Sequence, residues 1–204
     1  MNANIVDNDV QDTRLHGVFL NDMGNSHVLV ADNRIASEVA GVQITRGFPR
    51  SPEEPSTFNV ARNTITINAH GTSIIVPSDG GITFGDFTAE GGINRAFLHD
   101  NTIVLGVNVL DGFSVEGDRG IVRIEHNDIS GAALEAGITV IDSRGTRTQH
   151  NQFFDLEPGV ADVWLQSTTS DCRVIEPEAT VLDEGSNNEV KANIVLTAPL
   201  HAQH

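Results

Sequence analysis

The chain has 204 residues, with 12 Lys+Arg against 28 Asp+Glu and a formal net charge of −16. That excess repels phosphate backbones and anionic headgroups, which removes nucleic acid and membrane surfaces from the candidate partners. Hydrophobic residues at 39% and charged residues at only 20% exclude a disordered chain, and the length predicts one domain with a sizeable core.

Eleven of the twelve cations are arginine, and the one lysine is Lys191 near the C-terminus, so neither a Walker-type phosphate loop nor a central Schiff-base lysine is available. Cys172 is the only cysteine, which excludes an intramolecular disulfide and a multi-cysteine metal site and leaves the redox compartment open. Met1-Asn-Ala-Asn-Ile-Val-Asp7 has neither the basic segment nor the apolar run of a signal peptide, and no stretch is apolar enough for a membrane helix. The sequence therefore fixes no compartment; an exported parent chain would place it outside the cell.

In chain order, residues 1–27 read as one or more partial coils of a longer repeat structure, with strand-like Ile5-Val6 and Val18-Phe19-Leu20. Residues 28–190 carry the repeat. The pattern Asn-x-apolar recurs at Asn33, Asn63, Asn101, Asn127, Asn151 and Asn188, at spacings of 30, 38, 26, 24 and 37. Gly112-Phe-Ser-Val115 and Gly137-Ile-Thr-Val140 lie 25 apart, as do Arg119-Gly120 and Arg144-Gly145. A further step of 25 reaches Asp162-Val-Trp-Leu165, which keeps the apolar residues and loses the glycine. Between these anchors run short alternating segments such as Val42-Gln-Ile44 and Ile121-Val-Arg-Ile124, the pattern of strands with one buried face. Ala132–Ala136 is the one helix-like stretch and is too short to stand alone. The excess over about 25 residues per repeat predicts loops at 47–55, 79–92 and 177–187, and residues 191–204 read as a C-terminal tail. Strands that recur in this way and cannot bury a face alone predict an all-β solenoid of stacked parallel strands.

Asn-x-Ile, a variable loop, Gly-Ile-x-Val and then His-Asn-x-[Ile/Phe] together resemble the right-handed parallel β-helix repeats of the pectate-lyase-like superfamily over residues 28–190. The resemblance implies a right-handed parallel β-helix of about six to eight coils. It also implies structural roles for the repeated asparagines, each stacked inside a turn. Its functional implication is an association with carbohydrate, as a polysaccharide lyase or glycoside-hydrolase-like segment binding an oligosaccharide on an outward groove. The alternative is a non-catalytic, structural or adhesin-like segment of a longer protein. Arg46-Gly-Phe-Pro49-Arg50 holds the residue types of the pectate-lyase arginine–proline element at another spacing, so catalysis stays open. Open ends of such a stack expose unpaired strands, from which end-to-end self-association or flanking coils are expected.

Stacking makes residues 25 apart into neighbours. One outward column then reads Ser114, Thr139, Trp164, the expected sugar-binding surface with the indole against a pyranose face. Beside it lie Glu116, Asp118 and Arg119 on one coil and Asp142 and Arg144 on the next, the expected catalytic group, with carboxylates as acid and base and guanidiniums as anion clamps. Solvated turn residues in surface ion pairs are the competing account of the same set. His99, His126 and His150 read as exposed turn histidines, and no metal or cofactor is expected.

Overall fold

The computed structural model describes residues 2–21, 26–45, 56–68, 78–85, 94–117 and 120–197, with no α-helix among them. The strands, numbered β1 to β18 in chain order, pair in parallel and form three columns. The first holds β1 (Asn2–Val6), β4 (His27–Ala31), β7 (Ser56–Ala61), β10 (Asn94–His99), β12 (Ile121–Glu125), β14 (Arg147–Gln149) and the leading parts of β17 (Arg173–Asp183) and β18 (Glu189–Leu196). The second holds β2 (Asp9–Thr13), β5 (Arg34–Ser37), β8 (Thr64–Ile67), the leading parts of β11 (Thr102–Glu116) and β13 (Asp128–Ile141), and β15 (Gln152–Phe154). The third holds β3 (His16–Leu20), β6 (Ala40–Thr45), β9 (Ser78–Gly85), the trailing parts of β11 and β13, β16 (Ala161–Leu165), and the trailing parts of β17 and β18. This is a parallel β-solenoid arrangement, and the 25-residue step appears in it directly: Ser114 pairs with Thr139 and Thr139 with Trp164.

Alternation along each strand sends every second side chain inward, and equivalent residues stack. Val30, Val60, Leu98 and Ile124 line the first column; Ile35, Ile65, Ile103 and Ile129 line the second; Val42, Ile82, Phe113, Ile138 and Val163 line the third. All are fully or almost fully buried, and each contributes about 1.5–3 kcal/mol by leaving water.

A left-handed turn joins the first column to the second. Asp7, Asp32, Arg62, Asp100, His126 and His150 occupy it with φ of 55° to 58°, a region that Asp and His enter more readily than most residues. Arg62 is the exception in type, and its guanidinium holds Asp32 through two hydrogen bonds of 2.6 and 2.7 Å. The next residue is the ladder asparagine. In the run Asn8, Asn33, Asn63, Asn101, Asn127, Asn151, each backbone N–H and side-chain amide donates to the Oδ1 of the following member at 2.9–3.0 Å.

Two expectations change here, on Asn188 and on the loops and tail, while Ala132–Ala136 forms no helix, as its length predicts. Asn188 is outside the ladder: it precedes the last first-column strand, where its Oδ1 accepts from the Cys172 N–H at 2.9 Å. Ala132–Ala136 is part of β13, because small residues such as Ala133 and Ala136 fit where the strand turns between columns. Residues assigned to loops and tail include strand: β9 covers 79–85, β17 runs on to Asp183, and β18 occupies 189–196. Within 1–27, β1, β2 and β3 supply a member to each column. The expected loop at 47–55 lies outside the described residues.

The recurring glycine of the third column has a steric cause. Gly17, Gly41, Gly81, Gly112 and Gly137 stack, each facing a carbonyl of the next. A Cβ on Gly112 would stand 2.6 Å from Ile129 Cγ2 and 2.7 Å from the Gly137 carbonyl. Gly112→Ala is therefore expected to lower stability by about 1–3 kcal/mol, read from the urea midpoint; an unchanged midpoint would remove this account of the repeat.

A carboxylate cleft where the second column ends

The second column has no member beyond β15 among the described residues. The chain passes from the first to the third column within β17, through Glu176-Pro177-Glu178, and proline cannot supply a ladder N–H. The step leaves a cleft of about 580 Å³ whose lining includes His150, Phe154, Asp162, Glu176 and Glu178. Asp162 stands where the preceding coil has Gly137, whose own Cβ would meet the Phe153 ring at 2.6 Å. With no second-column strand beyond β15, a side chain fits at this position.

Glu176 ends the asparagine ladder. Its two carboxylate oxygens accept from the Asn151 backbone N–H at 2.9 Å and the Asn151 amide at 2.7 Å. It is 2% exposed. Burial pushes its pKa up to about 7; the Asn151 hydrogen bonds oppose the rise and the negative Asp162 adds to it. Burial also raises Asp162, against the Thr180 N–H that donates to it at 2.7 Å. Two carboxyl groups that hold protons more tightly than usual thus share one concave space, with the exposed Glu178 beside them. In the left-handed turn the His126 and His150 rings lie tilted against each other with centroids 5.4 Å apart, whereas His99 is engaged by Asp100 and Asn59. No group of three metal-ligating side chains occurs among the described residues. Burial raises the Cys172 pKa, so its thiol is a poor nucleophile.

The sequence-selected residues separate into two groups. Trp164 is half-buried in β16, two positions and roughly 7 Å from Asp162, and its indole N–H donates to Glu184 at 2.9 Å. Ser114 and Thr139 share its register, but Thr139 is fully buried, its hydroxyl bonded to Asp111, so it offers a ligand no surface. Glu116 ends β11, Asp142 follows β13, and Arg144 forms an exposed ion pair with Asp171 at 3.0 Å. Asp118 and Arg119 lie outside the described residues, so the Arg119–Arg144 pair does too. Sequence reasoning missed Asp162 and Glu176 as site residues. A step of 25 from Asn151 lands on Glu176, and the lost glycine of the repeat is Asp162. Compared with protein-family models, curated proteins and solved structures, the chain matches none.

Proposed function

We propose that the chain is a carbohydrate-associated domain built as a right-handed parallel β-helix of about six to eight coils, of the pectate-lyase-like kind, with an oligosaccharide seated in the cleft below β15. The carrying observation is the company kept there. An exposed aromatic ring, Phe154, and the acceptors Asp162 and Glu178 line one concave space, and the Trp164 indole lies along the same strand as Asp162. Sugar rings pack a C–H face on aromatic groups while their hydroxyls donate to carboxylates. The right-handed winding follows the hand that parallel crossovers almost always take. Catalysis of the lyase or hydrolase kind would fall to Asp162 and Glu178 as the ligand-facing carboxylates. Glu116, Asp142 and Arg144 would be contacts to a longer glycan.

Titrating the single indole with neutral and uronate oligosaccharides is expected to change its fluorescence, and Asp162→Asn to weaken the response. A polysaccharide panel scored for new reducing ends and unsaturated products tests the catalytic form. A second reading, the non-catalytic structural segment, is favoured by Glu176, whose oxygens are both engaged in closing the ladder. No spectral change with any glycan would leave that reading in place.

A further inference from the structure

We infer that the outer face of the first column carries a site for the anionic groups of a linear acidic glycan, centred on Arg147 between Arg123 and Arg173. The three arginines are register partners on β12, β14 and β17, so their Cα atoms rise one strand spacing apart, about 5 Å. At the left-handed turn the one stacked arginine lies between carboxylates: Asp32, Arg62 and Asp100 follow one another at equivalent positions, and Arg62 is paired with Asp32. Like charges in unbroken series repel. A chain with a net charge of −16 has carboxylates to spare for separating them, yet none stands between these three in the register.

The outer two guanidiniums are held. Arg123 lies with its guanidinium carbon 5.5 Å from the centre of the Phe97 ring, and its Nε is buried with no hydrogen-bond partner. Arg173 is 3.1 Å from the Glu189 carboxylate. Arg147, between them, is exposed and forms no ion pair among the described residues. A cavity of about 120 Å³ is lined by all three, with the Glu125 carboxylate also in its lining. A carboxylate or sulfate ester there would accept from two neighbouring guanidiniums at once. Along the same column, Phe97, Asn59 and Leu29 line a second hollow of about 270 Å³, so a linear polymer could follow the stack. Arg95 on β10 and Lys191 on β18 belong to the same column, which places five of the twelve cations of an acidic chain on it.

The choice of a glycan rests on the function proposed above, whereas the anion site rests on the arginine register. The test uses the Trp164→Phe chain, so that failure of the cleft and failure of this column are read separately. Calorimetric titration with an oligogalacturonate, a sulfated dextran oligomer and uncharged dextran is expected to show binding of at least one polyanion and none of dextran. That affinity should fall about tenfold or more on raising salt, and again in Arg147→Gln at unchanged melting temperature. Arg62→Gln should leave it unaltered. Binding of the sulfated oligomer alone assigns a sulfate-ester ligand, and binding of the uronate alone a carboxylate ligand. No polyanion binding at low ionic strength, equal binding of dextran, or equal losses in Arg147→Gln and Arg62→Gln would overturn the site.

Discussion

Asn127→Ala is expected to lower the stability of the chain by about 3 to 5 kcal/mol, because the side chain serves two neighbouring coils from a fully buried position. Its Oδ1 accepts the Asn101 backbone N–H at 2.9 Å and the Asn101 amide at 3.0 Å. Its Nδ2 donates to the Leu98 and Glu125 carbonyls and to Asn151 Oδ1. Alanine would leave the Asn101 N–H without its acceptor and take a donor from the Leu98 carbonyl, while the Glu125 carbonyl keeps the Asp100 N–H, at about 1–3 kcal/mol for each group left unsatisfied in the interior. Asn8→Ala makes the contrast. Asn8 is exposed and its backbone N–H still reaches Asn33 Oδ1 after truncation, so that variant should lose less than about 1 kcal/mol. Urea unfolding of the two variants reads the difference, and equal losses would mean that the ladder does not hold the coils together.

The ladder was legible from Asn33 to Asn151 because one physical demand recurs there. A left-handed turn needs a side chain that both accepts and donates toward its neighbours, and the apolar residue two positions on must reach the core. Glu176 supplies only the accepting half of the first demand, through its carboxylate, and lacks the second, since Glu178 stands in the apolar place, so the Asn-x-apolar pattern passes over it to Asn188. Position was the better guide: 25 residues before Asn33 lies Asn8, and 25 after Asn151 lies Glu176, both members of the stack. The column of Ser114, Thr139 and Trp164 was legible in register and not in exposure, because burial of Thr139 comes with its hydroxyl donating to the Asp111 carboxylate and no repeat pattern reveals it. The arginines teach a similar lesson. Arg119 and Arg144 stand out at a spacing of 25, whereas Arg123, Arg147 and Arg173 follow at 24 and 26 and align only once the strands pair. Cleft and arginine column both arise where the regular period slips, and there a residue's neighbours are set by the path of the chain.

Glu176→Gln is expected to raise stability above neutral pH, by an amount that vanishes in acid. Unfolded, this carboxyl titrates near the ordinary 4.5; folded, burial holds it up to about 7. Between those values the folded chain binds the proton and the unfolded chain has released it, so the stability of the parent falls as pH rises through that window and levels off above it. The span of roughly 2.5 pH units corresponds to about 3 kcal/mol, and Glu176 is too deeply buried for solvent to screen much of it. Glutamine removes the titration and keeps the ladder closed, since one amide oxygen already accepts both donors of the preceding asparagine at every other step, as Asn151 Oδ1 does for Asn127. Its amide would face the cleft, where water can accept from it. Charge repulsion across this acidic chain also weakens it as pH rises, but it acts on parent and variant nearly alike, so the difference between their urea midpoints isolates Glu176. That difference should be near zero below pH 4.5, grow through the window and reach about 3 kcal/mol by pH 8. Parallel curves across the range would show that Glu176 is ionised in the folded chain without penalty, and the ladder would then end on an ordinary carboxylate.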